Sequence, residues 1–240
     1  MAGPLQILYE DNHILAVNKA PSDIVQADRT GDETLADRVR EHLRAAGGKT
    51  GNVFVGIPHR LDRPTSGVVL FARTDKALSR LSAMFREGAV RKTYWAVVGE
   101  RPAAESGTLV HWLRRNAALN KSYVAAGPGA GAREARLSYR LLLDTDRYHL
   151  LEIELETGRH HQIRAQLAVI GCHIKGDLKY GAPRSNPGGG IHLHAREIRF
   201  IHPVRKTPVV ITADPPRDPV WDAVLRGWRD PRVGQPGSGS

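Results

Sequence analysis

HRLDRPTSG, residues 59–67, places one acid, Asp62, between Arg60 and Arg63, with His59 just upstream and Pro64, Thr65, Ser66 and Gly67 just downstream. Proline and glycine at those positions fix a tight turn. Turns held on a rigid scaffold are where functional groups concentrate. Thr65 and Ser66 are read as satisfying backbone groups of the turn. An aspartate in such a segment is ordinarily one half of a surface ion pair. Here the flanking cations favour the ionised carboxylate. An acid held charged cannot donate a proton near neutral pH; it serves as a nucleophile or as an electrostatic stabiliser.

The runs on either side of this turn decide the fold class. VFVGI upstream reads as a short strand and SGVVLFAR downstream as a continuous apolar one. ILYE and HILAVNK read as two strands joined at Asp11-Asn12. In VRKTYWAVVGE, Tyr94, Ala96 and Val98 alternate with Thr93, Trp95 and Val97, so both faces are largely apolar and the strand is central. Residues 106–113, ARLSYRLLL, YHLLEIELE, IHLHAREIRFIHP and PVVITA supply further strands. Helices are expected at TLADRVREHLRAA, where Leu35, Val39 and Leu43 share a face, and at DKALSRLSAMFRE, capped by Asp75 and stopped by Gly88. TGRHHQIRAQLAVIG, between Gly158 and Gly171, and DPVWDAVLRGW complete the set. Residues 114–134 are polar, glycine-rich and basic and read as a long mobile loop. With no internal repeat and no linker, the reading is one α+β domain over residues 1–230. It carries a mixed, mainly antiparallel sheet flanked by helices. The Gly/Ser/Pro-rich segment 231–240 reads as a disordered tail.

Charge narrows the partner. The chain of 240 residues carries 35 Lys and Arg against 25 Asp and Glu, a net +10. Such a surplus favours a polyanion, because each phosphate contact releases a counterion; the alternative is a generally basic surface. Cys172 is the only cysteine, so an intrachain disulfide and a CxxC zinc site are both excluded, and a reducing compartment is expected. The N-terminus shows neither a signal peptide nor a membrane span. A cytoplasmic location follows, and a monomer is the default state at this size without a coiled-coil pattern.

Three further clusters bear on chemistry. On a continuous helix, TGRHHQIR would set Arg164 beside His160 and His161 as a cationic face, either solvated or with Arg159 and Arg164 holding a phosphate or a carboxylate such as Asp62. Arg159 sits near the same helix N-terminus, where anions are favoured. Tyr94 in KTYWA is either a core aromatic or a platform for a nucleobase. His192 and His194 share a strand face, but no HExxH, CxxC or DxD accompanies them, so no metal is expected.

HRLDRPTSGVVLFAR, KTYWAVV, TGRHHQIRAQL, GDLKYGAP and IHLHAREIRFIHP, in this order, resemble the RluA-type family of RNA pseudouridine synthases from about Leu5 to about Ala213. The resemblance implies an isomerase that converts specific uridines of ribosomal or transfer RNA into pseudouridine. The C1′–N1 bond is cleaved, the uracil rotates, and C5 is attached instead, without cofactor or metal. The family's catalytic aspartate falls on Asp62, its stacking tyrosine on Tyr94 and its aspartate-pairing arginine on Arg164. Its apolar neighbour falls on Ile163. In a basic cleft, His59, Arg60, Arg63, Thr65, Lys92 and Arg159 are the expected RNA contacts, and Arg60 fills the space left by the flipped base. Many relatives carry an N-terminal S4-like domain; none is expected here. Recognition then falls to the catalytic domain, with Arg114, Arg115, Lys121 and Arg133 as candidate phosphate contacts. Two rival readings remain, a silent RNA-binding module and a metal-dependent nuclease. The RNA and the uridine are not specified by the motifs.

Overall fold

The computed structural model describes residues 4–27, 31–47 and 53–228. In chain order the elements are β1 (Ile7–Glu10), β2 (Ile14–Lys19), α1 (Leu35–Gly47), β3 (Ser66–Ala72), α2 (Asp75–Arg86), β4 (Arg91–Val98), β5 (Ser106–Asn116), β6 (Lys121–Ala125), β7 (Arg133–Asp144), β8 (His149–Leu155), α3 (Gln162–Val169), β9 (Leu193–Ile201), β10 (Pro208–Thr212) and α4 (Pro219–Gly227). The strands form one sheet in the order β1-β2-β3-β9-β4-β8-β7-β5-β6, with β10 paired to β9. β4 lies at its middle, as its two apolar faces require. Tyr94, Ala96 and Val98 pack with α1 and α3, through Leu35, Val39, Ile163 and Leu167. Trp95 and Val97 pack on the opposite face against Trp221 and Val224 of α4. On that same side Ala77 and Leu81 of α2 cover Ile14, Val68 and Phe200. The α+β reading, mixed and mainly antiparallel, is what the chain adopts.

The one parallel pairing among these strands joins β3 to β9, through Ser66–His194 and Gly67–Ala195. It explains the glycine that ends HRLDRPTSG. Gly67 has φ +115°, and a Cβ there would lie 2.3 Å from the Ala195 carbonyl oxygen. Only glycine allows both the backbone angle and the contact.

Four local expectations change. VFVGI forms a single bridge, Gly56 with Ala72, rather than a strand; Pro58 follows at once and cannot donate to a ladder. Thr74, not Asp75, caps α2, its hydroxyl accepting from the Ala77 N–H at 3.2 Å. Asp75 sits in the first turn, where its charge suits the helix dipole. Residues 114–134 are not a mobile loop: β5 runs to Asn116, and β6 returns antiparallel to it before β7 begins at Arg133. Its inward positions are few, Leu113, Val124 and Ala135 against Ala165 and Tyr180, so its alternation is hidden in a polar composition. α3 starts only at Gln162, because His161 takes the left-handed conformation (φ +52°) and breaks the run. His160 and His161 therefore do not share a helical face with Arg164. The tail 231–240 lies outside the described residues.

Candidate active site

The HRLD turn is held from beneath by a lysine that the sequence reading gave no role. Lys19, at the end of β2 and 1% exposed, donates to the carbonyls of Ala20, Arg63 and Thr65 at 3.0, 2.9 and 2.7 Å. The Asp62 carbonyl accepts from the Thr65 N–H at 3.0 Å and closes the turn, and the Pro64 carbonyl accepts from Ile191 at 3.1 Å. Burial lowers the Lys19 ammonium from 10.5 to about 8. Lys19→Met strands three carbonyls, and each buried acceptor left unpaired costs about 1–3 kcal/mol. We expect the melting temperature to fall by about 10 °C, at about 2–4 °C per kcal/mol for a chain of this size. The folded state sheds this proton near pH 8 and the unfolded state near 10.5. Between those values the unfolded chain binds more protons, so this group's contribution to stability rises with pH. Melting curves across that window should show a rise in wild type relative to the variant.

Asp62 stands on the floor of a cleft of about 560 Å³ with five cationic and two acidic side chains in its lining. Its Oδ2 faces Arg164 Nη1 at 3.2 Å and His161 Nε2 at 3.5 Å. Oδ1 makes no hydrogen bond among the described residues. Arg164, 5% exposed, spends its other donors on Asp177, from Nε at 2.6 Å and from Nη2 at 2.7 Å. Burial works against the Arg164 charge, and the Asp177 hydrogen bonds and charge, with Asp62 behind them, more than offset it; the guanidinium is held above its usual range. The arginine is thus neutralised by a buried carboxylate and offers one donor edge to Asp62.

The remaining expected residues divide. Tyr94 is buried and lines the cleft; burial first, and the Asp62 charge second, hold its phenol well above the usual range. Ile163 lines the cleft beside it. Lys92 lines it without an ionic partner among the described residues, its ammonium lowered by burial. Arg159 lines it while its Nε donates to the Glu134 carbonyl at 2.8 Å. Arg60 is exposed on the rim. His59 lines it too, but its Nε2 accepts from the Leu70 N–H at 2.9 Å and its ring stacks on Phe85 at 4.4 Å. Burial, then Lys92, push it down to about 3, so the ring is neutral. Arg63 is not brought into the cleft; it pairs with Asp32 at 3.2 Å on the exposed side of the turn. Thr65 does not serve the turn backbone: the residue lines the cleft, and its buried hydroxyl has no hydrogen-bond partner among the described residues. Ser66 pairs instead with His194 Nδ1 at 2.9 Å.

The turn before α3 is built by Gln162. Its Oε1 accepts from the Arg159 N–H at 2.9 Å and the Thr157 hydroxyl at 2.8 Å, and its Nε2 donates to the Arg136 carbonyl at 3.1 Å. His192 and His194 flank Trp221, with ring centroids 5.4 and 6.1 Å away. Among the described residues no three His, Cys, Asp or Glu side chains are grouped so as to hold a metal ion. Sequence reasoning missed Asp177, Tyr180 and Lys19, and placed His161 only on a cationic helix face. Asp177 and Tyr180 lie in GDLKYGAP, whose short turn gives no periodic signal.

Residues 13–169 match the family model for RNA pseudouridylate synthase. The chain belongs to that family. Among similar pseudouridine synthases is ribosomal large subunit pseudouridine synthase D of Zymomonas mobilis, 33% identical over 226 residues, covering 90% of this chain and 70% of that one. Another is tRNA pseudouridine synthase C of Vibrio cholerae, 31% identical over 253 residues, covering 94% and 97%. The fold matches a solved structure of human RNA pseudouridylate synthase domain containing 4, with a TM-score of 0.75 over 92% of each chain at 23% identity. The resemblance drawn from the HRLD and HQIR motifs therefore holds, and membership of the family makes the chain an isomerase acting on RNA.

Proposed function

We propose that the chain converts specific uridines of ribosomal or transfer RNA into pseudouridine, with Asp62 as the catalytic carboxylate. The observation that carries this reading is Asp62 itself: Oδ2 is held by Arg164, while Oδ1 is left free on the floor of a nucleotide-sized cleft. The bond from C1′ to N1 breaks, the uracil turns between Tyr94 and Ile163, and C1′ joins C5. The proton on C5 leaves and N1 gains one, so no atom or electron is supplied from outside, and neither cofactor nor metal is required. Oδ1 acts on the ribose in either of two ways, by attack at C1′ or by removing a sugar proton. Lys92 and Arg159 face the bound nucleotide, beside His59 and Thr65. Arg114, Arg115 and Arg133 are exposed on or beside the β5–β6 hairpin, with Lys121 among them, and suit phosphates. The protein acts as a monomer in the cytosol; Cys172, buried and unpaired, suits a reducing compartment.

The test is chemical mapping of pseudouridine in total RNA from cells lacking the protein, rescued with wild type or Asp62→Asn. One or a few sites should vanish and return only with wild type. An unchanged map would leave a silent RNA-binding module as the better reading.

Arg60, exposed on the rim, is suited to stack in the gap left by the flipped base. Extrusion from a duplex costs a few kcal/mol and almost nothing from a single strand. Arg60→Ala should therefore slow turnover about 10-fold on a stem-loop and about 2-fold or less on an unpaired oligonucleotide. Equal losses on both would remove this role.

A further inference from the structure

Asp62 has a second neighbour besides Arg164. His161 is 7% exposed, and its Nδ1 lies 3.0 Å from the Tyr180 hydroxyl while its Nε2 faces Asp62 Oδ2 at 3.5 Å. The ring is stacked on His160, with centroids 3.8 Å apart and planes 19° apart. Its backbone sits at φ +52°, an angle that costs a residue with a Cβ and persists where surrounding structure requires it. Burial first, and Arg164 second, push the imidazole down to about 2. It is therefore neutral, with one proton and two possible places for it. Tyr180 decides between them. Its phenol is held up at about 12, chiefly by burial, so it keeps its proton. The Tyr180 oxygen already accepts from the Ser122 N–H at 2.9 Å, and its own proton has His161 Nδ1 and the Ser122 carbonyl within 3.0 and 3.1 Å. A bare Nε2 would set a lone pair against a carboxylate in a partly dry site, whereas an Nε2–H is attracted to it.

We infer that His161 is a positioning residue for the catalytic carboxylate: Tyr180 donates to Nδ1, the ring takes the Nε2–H tautomer, and that N–H orients Oδ2 so that Oδ1 is aimed at the nucleotide. The inference rests on the reading of Asp62 given above and adds to it. Two arms then hold one oxygen, Asp177–Arg164 on one side and Tyr180–His161 on the other. The second arm also reaches the β5–β6 hairpin, since Ser122 belongs to β6.

The test has two readouts. Nitrogen-15 spectra of the histidine rings in the free wild-type protein, assigned with His161→Gln, should show His161 protonated at Nε2; Tyr180→Phe should lose that preference. Kinetics separate positioning from packing. Glutamine can place a donor where Nε2 stands. Asparagine suits the left-handed backbone better but reaches only the Nδ1 position. His161→Gln should keep kcat within about 3-fold, and His161→Asn should lose about 30-fold in kcat with KM little changed, as expected of a misaimed group. An Nδ1–H ring, or an asparagine variant as active as the glutamine one, would overturn the inference. The spectra need no RNA. A wild-type protein without pseudouridine synthase activity but with the Nε2–H ring would therefore sink the function and not the tautomer.

Discussion

Asp62→Asn should lower the single-turnover rate of pseudouridine formation by about 10⁴-fold or more, the scale on which essential nucleophiles are lost. RNA affinity should stay within about 3-fold, because one neutralised carboxylate in a cleft of five cations changes phosphate attraction little. The amide keeps the size of the side chain and can still meet Arg164. What it loses is the anion at Oδ1, which makes no hydrogen bond among the described residues. Stability should hardly move, since Asp62 is 28% exposed at its side chain and Arg164 retains Asp177. Asp62→Glu is the sharper companion: its charge is preserved, yet an added methylene displaces the acting oxygen by about 1 Å, enough for about 100-fold. Rates within 10-fold of wild type for Asp62→Asn would move the chemistry to another group.

Asp177→Asn should be nearly as damaging to activity and far more damaging to the fold. Arg164 and Asp177 are 5% and 2% exposed, and the bidentate bond between them satisfies both. Breaking a buried pair from one side leaves an uncompensated charge, at about 3 kcal/mol or more. The melting temperature should fall by about 10 °C at about 2–4 °C per kcal/mol. Arg164 would then turn to Asp62 as its remaining carboxylate, drawing it from its place, and kcat should drop about 100-fold. The double variant Arg164→Met with Asp177→Leu separates the two effects. Replacing both charges by apolar groups is often neutral for stability, so most of the thermal loss should return. Activity should not. A double variant that regains both would show that the pair matters only for packing.

These two residues also mark where reading the sequence stopped. Asp62, Tyr94 and Arg164 were assigned through the family resemblance, which rests on stretches contiguous in the chain, HRLDRPTSG, KTYWAVV and TGRHHQIR. Asp177 lies 13 residues beyond Arg164, in a turn after α3, and no period connects them. Lys19 meets the turn across 44 residues, through carbonyl oxygens that carry no sequence signature. The helical spacing that set His160 and His161 beside Arg164 failed for a local reason, the left-handed backbone at His161. Tyr180 reaches His161 only because the chain folds back across α3. The sheet was more legible than its edges. β4 announced itself by apolar residues on both faces, whereas the β5–β6 hairpin buries so few side chains that its polar composition concealed it.

The parallel pairing of β3 with β9 has a kinetic consequence. Ser66 and His194 are 128 residues apart, and the start of β3, just after the Asp62 turn, joins β9 only when they meet. Contacts of such separation form late, after the loop-closure entropy between them has been overcome. Earlier-forming units such as β5 with β6 and β7 or α2 on β3 contain none of the three catalytic side chains in their final relation. During refolding, catalytic competence should therefore lag behind the recovery of secondary structure, appearing with closure of the central sheet.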